Sequence, residues 1–441
     1  MGTPDPAPDR SQRFLRVAAL ALLSLFIAPI LVIFAIRIDY DLLSRVPNVF
    51  NDPGLKEQTL IYIVVPLLVL LAAGIFFVFW KLVSRSWTRI ACAYGSVALL
   101  LAYLSHDEPT YRHPMTMEDI SPVFPGEEAS YNLLMLYGRQ HPLGKSFTQP
   151  EFKKSYPRFV VDEAWRETVT THRQEIEAHW ADLSKERAWW NELSGFVRIG
   201  DLMAANWDGE ILTFQIFRTM TQHSLAIASL QAIDGHGDQA IDTLLPTLEV
   251  GRKLPTYSRT LVRAMIAVVI EKMSIATANF ILDTTPVSPE ARARLAAALK
   301  GGDPEAGARH LMNTEYALHL GWMTRARIGY IFQVLAPEGT HRNILFSYLN
   351  CFSPLFYLPK ATFNRIGDLY ADWGDLVAQR KFDGMNARWE VFDREISGLS
   401  LKNPLGRDLA ARSIPVYEKV AKNYWSKEDL RTALLARLAK P

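Results

Sequence analysis

Between Val17 and Ile36 the chain runs apolar without one ionisable side chain, and Leu60 to Trp80 repeats the pattern. At a rise of about 1.5 Å per residue, a helix of about 20 residues crosses a hydrocarbon core about 30 Å thick. Inside hydrocarbon every backbone N–H and C=O must find its partner within the protein, so such runs are restricted to helices. The first run exceeds the length of a signal-peptide core, and no small-x-small cleavage pattern follows it. An uncleaved anchor is therefore expected, preceded by a disordered tail over residues 1–13.

A third apolar stretch, Arg89 to Leu104, decides the address of everything after it. The loop before it carries Lys81, Arg85 and Arg89 without an acid, whereas Asp107 and Glu108 follow it. The basic flank Arg10, Arg13 and Arg16 matches that loop, and basic loops stay on the cytoplasmic side. The expectation is a membrane block over 14–105 with crossings at about 17–36, 60–80 and 88–104. The alternative for the third stretch is an interfacial or buried helix. Three crossings place the N-terminus in the cytoplasm and the large domain in the periplasm of a cell inner membrane protein. The crossings hold no Asp, Glu, Lys, Arg or His in their interiors, which argues for anchors rather than an ion pathway.

Composition sets further bounds. Lys and Arg number 48 against 46 Asp and Glu, so no concentrated basic face draws the chain to nucleic acid. Only Cys92 and Cys351 are present, which removes a disulfide framework or a cysteine metal site within one chain. No Walker loop, dinucleotide fingerprint, zincin motif or Gly-x-Ser-x-Gly elbow occurs, and no cofactor is expected.

Residues 106–127 read as an extended connector and 128–441 as a helical extracytoplasmic domain. Helical periodicity recurs there, without alternating strands joined by hairpin turns. The fold class is all-α: N-terminal transmembrane helices followed by a helical-hairpin globular domain. One turn, Gly235 to Ile241, is similar to that of a tetratricopeptide hairpin, although a 34-residue echo is missing on either side. Arg259 to Leu282 contains Arg263, Glu271 and Lys272 and reads as a buried core helix. Ser288 and Asp303, each followed by proline, read as helix starts. Helices are also expected from Pro359 and from Pro404, the latter capped by Asn403.

The candidate site residues lie on a helix expected over 162–193, whose apolar stripe is Trp165, Val169, Ile176 and Leu183. His172, Glu175 and His179 follow the same three- and four-residue steps and share a face, as a metal site or an acid–base pair requires. Two core-edge histidines bonded to a glutamate would use the same spacing, and metal analysis of the purified domain decides between these readings. Trp180, Trp189, Trp190 and Trp207 are expected to build helix–helix core, and Cys351 a buried thiol.

Three passages carry a resemblance: Ala129 to Gly138, Leu358 to Asn364, and Asn403-Pro-Leu-Gly-Arg407 with Ile414 to Glu418 and Leu430-Arg431. Together they resemble a set of uncharacterised bacterial proteins that have a membrane anchor and an exported all-helical domain. The resemblance implies an architecture and no catalytic residue. This chain departs from it in having three apolar stretches where one anchor is usual. The functional expectation is a non-catalytic scaffold or interaction protein of the bacterial cell envelope, with the lipid bilayer and another envelope protein as partners. The alternatives are an accessory subunit of a larger membrane complex, and a metal- or carboxylate-dependent hydrolase using His172, Glu175 and His179.

Overall fold

A computed structural model describes residues 10–19, 77, 81, 87–109, 119, 126, 128–133, 161, 163–200, 215–254, 258–325, 357–397, 403, 406–407, 410 and 417–440. Most of the first two apolar runs, most of the 106–127 connector, Gly138, Trp207 and Cys351 lie outside them. The described elements are all helices, with no strand among the described residues. Contacts divide the chain into two compact units. Unit one holds residues 1–112, 324–365 and 393–414; unit two holds 113–323, 366–392 and 415–441.

In unit one, residues 10–19 are helical, and α1 spans Trp87–Ser105. The Arg16 guanidinium lies 5.6 Å from the Trp87 ring centre. Further along both helices the Tyr94 hydroxyl donates to the Ala19 carbonyl. The two contacts advance together, so residues 10–19 and α1 run parallel. Only 11% of the most apolar window of α1 is buried; Leu99, Leu100 and Tyr103 are exposed, as a lipid-facing helix requires.

Unit two opens with α2 (Glu163–Thr171), α3 (Arg173–Asp182) and α4 (Ser184–Gly195). The single helix expected over 162–193 is thus interrupted at His172 and Leu183. Both residues have ψ near +20°, away from the helical value, which tilts the axis while Ile176 N–H still donates to His172 O and Arg187 N–H to Leu183 O. The expected stripe is nevertheless the buried one: Trp165, Val169, Ile176 and Leu183 all face the interior.

Next come α5 (Gln215–Ile233), α6 (Gly237–Lys253) and α7 (Leu261–Thr284), which pack on one another as a three-helix centre. Gly235 at φ +82° makes the α5–α6 turn, where a side chain would be strained. Gly251 allows close approach of α6 to α7: a Cβ there would sit 2.9 Å from Ile270 Cγ2 and 3.0 Å from Glu271 N. Thr260 caps α7 by accepting from Arg263 N–H. This helix is long and apolar enough to cross a membrane, as α1 is, but half of its most apolar window is buried against neighbouring helices. It also carries the buried charges Arg263 and Glu271, and we read it as core.

Then follow α8 (Pro289–Leu299) and α9 (Pro304–Arg325), started as expected. Ser288 Oγ accepts from Ala291 N–H with Pro289 in the first turn, and Asp303 Oδ1 accepts from Glu305 N–H. The remaining elements are α10 (Pro359–Ala378), α11 (Phe382–Ser397) and α12 (Glu418–Leu438). The cluster of Leu225, Ile241, Leu244, Ile275, Leu295 and Leu434 joins α5, α6, α7, α8 and α12 into one core. A second cluster sets Trp189 and Trp190 of α4 on Phe217 of α5 and Leu254, so these tryptophans build core.

Candidate functional site

The sequence candidates are only partly assembled. His172 Nδ1 lies 3.2 Å from Glu175 Oε2, with both side chains about three-quarters buried (24% and 25% exposed). His179 turns to α5, where its ring meets His223 edge-on at 5.9 Å between centres. His179 Nδ1 is buried and has no hydrogen-bond partner among the described residues. Among the described residues no group of three or more His, Cys, Asp or Glu is placed to hold a metal ion. Close by, Arg173 forks onto Asp234 with two bonds of 2.7 Å, and that guanidinium holds the Asp234 carboxyl below its ordinary range.

Three polar assemblies that the sequence did not announce occupy the interior. The first belongs to unit two and joins α7, α9, α10 and the start of α12. The Leu261 N–H donates to Glu315 Oε1 at 2.9 Å, placing a carboxylate at the positive end of α7. The Tyr417 hydroxyl donates to Glu315 Oε2 at 3.1 Å. The Tyr370 hydroxyl lies 3.1 Å from that of Tyr417 and 3.2 Å from His319 Nδ1. Burial pushes both phenols well above their ordinary range. They are neutral hydrogen-bonding groups at physiological pH, and the chain Glu315–Tyr417–Tyr370–His319 fixes the relative rotation of its helices.

The second assembly, also in unit two, is ionic. Lys427 Nζ lies 3.2 Å from Glu271 Oε2 and also pairs with Glu428 Oε1, while Arg431 pairs with Glu428 Oε2. Glu271, Lys427 and Glu428 are at most 5% exposed. The Tyr424 ring lies 4.6 Å from the Lys427 ammonium. Burial raises the Glu271 carboxyl above its ordinary range, opposed by Lys427 and reinforced by Glu428. Its Oε1 has no hydrogen-bond partner among the described residues.

The raised Glu271 value makes a sign-definite prediction. An acid whose proton is held more tightly in the folded state contributes stability that is present below its unfolded pKa and is lost as pH rises through the folded one. Stability measured by urea unfolding should therefore fall as pH rises above about 4.5, the ordinary glutamate value. Glu271→Gln should flatten that slope; an unchanged slope in the variant would remove Glu271 as its source.

The third assembly is in unit one and gathers two of the passages singled out in the sequence. Asp107, two residues beyond α1, accepts from the N–H groups of Lys360 and Ala361 through its two oxygens, each at 3.0 Å. It therefore satisfies open donors in the first turn of α10. Asn403 Oδ1 accepts from Leu358 N–H at 2.8 Å, and its amide donates to Thr362 Oγ1 at 2.8 Å. The Asn403 side chain is thus committed to the Leu358–Thr362 turn rather than to the residues after Pro404. Its φ of +55° fits this use, since asparagine tolerates the left-handed region better than most residues. Asn364 completes the cluster by donating to Pro109 O at 3.0 Å.

Comparisons with protein-family models, curated proteins and solved structures find no match to this chain. The residue chemistry alone must carry the functional reading.

Proposed function

We propose that this chain is a membrane-anchored helical scaffold of the bacterial cell envelope. It works by binding another envelope protein, not by catalysis, with its N-terminus in the cytoplasm and its large domain in the periplasm. The observation that carries the reading is on α7. Val262 and Val269, seven residues apart and hence on one face, are 61% and 48% exposed on a helix whose other faces are core. Large apolar side chains left outside at helical spacing are what a docking helix or groove of a partner covers.

The exposed apolar surface of α1 supports anchoring, and the parallel run of residues 10–19 beside it supports an intervening return of the chain through the bilayer. The resemblance carried by the Leu358 and Asn403 passages supports the envelope address. In this reading the α5–α6 hairpin acts in the manner of one tetratricopeptide unit, a rigid support rather than a repeat array.

The test is in-cell photocrosslinking from a benzoylphenylalanine placed at Val262 or Val269, with Glu290 on α8, also exposed, as the control position. A discrete protein adduct is expected from both valine positions and not from Glu290. Absence of an adduct, or the same adducts at all three positions, would sink the scaffold reading.

A further inference from the structure

The apolar part of α1 is short for the layer it would cross. Between Arg89 and Ser105 it runs from Ile90 to Leu104, about 22 Å at about 1.5 Å per residue, whereas a hydrocarbon core is about 30 Å thick. The exposed aromatic groups give the same measure. Trp87 and Tyr103, of the kind that settle at the two headgroup layers, are about 24 Å apart along the axis. The side of the helix that carries Leu99 and Tyr103 is open along its whole length. Ala91, Gly95, Leu99 and Tyr103, at successive steps of four, are all exposed, and a Cβ added at Gly95 would meet nothing within 4 Å.

Neither end makes up the whole difference. At the far end Asp107 spends both carboxylate oxygens on the Lys360 and Ala361 amides, and Asn364 donates to Pro109 O. This end is thereby held beside the exposed Lys360, and drawing it into hydrocarbon would break those bonds without replacement. At the near end the Arg16 guanidinium lies against Trp87, and the Arg89 stem reaches outward by only part of the deficit. Tilting the helix shortens its span further. Local thinning of the layer disturbs none of these bonds.

We propose that the open side of α1 selects short acyl chains, so that the protein gathers phospholipids whose hydrocarbon layer is nearer to about 24 Å than to about 30 Å thick. The inference rests on the anchored reading above and names the lipid partner of that anchor. Acyl length is the selecting feature because the open line through Ala91, Gly95 and Leu99 offers the bilayer apolar surface of fixed span and no charge with which to choose a headgroup. The cost of stretching around a short helix rises with each ångström of mismatch and stays modest, which makes the selection a preference of a few-fold.

The test places a bimane fluorophore on Cys92, which is exposed on α1 and shares a line with Leu99, in the full protein carrying Cys351→Ser. The protein is reconstituted in brominated dioleoyl phosphatidylcholine, whose acyl bromines quench the probe, and unbrominated lipid relieves the quenching as it takes places beside α1. Dimyristoleoyl phosphatidylcholine is expected to relieve it about threefold more effectively than dioleoyl, and dierucoyl less effectively than dioleoyl. Thr88→Leu with Arg89→Leu, Ser105→Leu and His106→Leu lengthens the apolar run to about 28 Å without moving Asp107, and should transfer the preference to dioleoyl. Equal relief by the three lipids, or an unchanged short-chain preference in the lengthened variant, would overturn the proposal. The three-lipid series decides it even where that variant does not accumulate. Carbonate extraction separates the two readings: a released protein with an unquenched probe fails the anchor, whereas a retained protein with a quenched probe and no length preference fails this inference alone.

Discussion

Lys427→Ala is expected to destabilise the folded chain by about 3 kcal/mol, the lower end of the cost of breaking a buried ion pair. Lys427 is the bridge between Glu271 and Glu428, and its ammonium also faces the Tyr424 ring. Removing it leaves Glu428 with Arg431, so that carboxylate keeps a partner. Glu271 loses its one ion-pair partner among the described residues and escapes by holding its proton, which is why the loss stays at the low end. The measurement is urea unfolding of the full chain in detergent, followed by tryptophan fluorescence.

The same cluster supplies its own control. Glu271→Gln in the Lys427→Ala background should cost little more, because the lone carboxyl is already neutral there. A double variant that loses the sum of both single effects would show that Glu271 and Lys427 are not coupled, and one that recovers stability over Lys427→Ala would show that Glu271 stays charged after the lysine is gone. Replacing Glu271, Lys427 and Glu428 together by apolar residues of similar volume would remove the desolvation cost with the pairing, and buried ion networks replaced in this way are often no less stable.

Trp190→Ala is expected to cost about 3–5 kcal/mol, the range for truncating a fully buried tryptophan. Trp190 is 2% exposed and donates through Nε1 to Thr247 Oγ1 at 3.1 Å. Its ring packs on Trp189 at 5.4 Å and edge-on against Phe217 at 5.6 Å between centres. The cavity would open where α4 meets α5 and α6, and those neighbours are held from other sides as well, so collapse can fill little of it. Trp190→Phe keeps most of the apolar area and loses the bond to Thr247, for about 1–2 kcal/mol. Thermal or urea unfolding separates the two variants, and near-equal losses would place the hydrogen bond rather than the packing in control.

The features readable in the sequence are those set by nearby residues. The Ser288 and Asp303 starts, the buried stripe of Trp165, Val169 and Ile176, and the interior placement of Trp189 and Trp190 follow from local spacing and composition. The same logic extended one helix through His172 and Leu183, where the chain bends so that α3 and α4 each reach a different part of α5. Periodicity records which face is apolar and is nearly blind to a small change of axis.

The polar interior was not readable for a different reason. Glu315, Tyr370 and Tyr417 come from three separate segments, and Glu271 and Lys427 from two, so no window of sequence holds both ends of a bond. Each residue taken alone resembles an ordinary surface position. A faint signal does exist: Glu271 and Lys427 both fall on the apolar face of their helices, where a charge needs a partner. His172 and Glu175 were legible as neighbours because they share a turn, while the His179–His223 contact depends on a second helix.

Asp107 also sets an order of events during synthesis. Its carboxylate closes on Lys360 and Ala361, 253 and 254 residues later in the chain. At about 5–20 residues per second, a ribosome that has finished α1 needs on the order of 10–50 s more before those amides exist. The helices from α2 to α9 emerge within that interval and have their own neighbours at hand. Unit one, although it contains the early helix α1, is therefore among the last parts of the molecule to be completed, and a chain cut short before residue 359 would carry α1 with the Asp107 carboxylate still waiting for its helix.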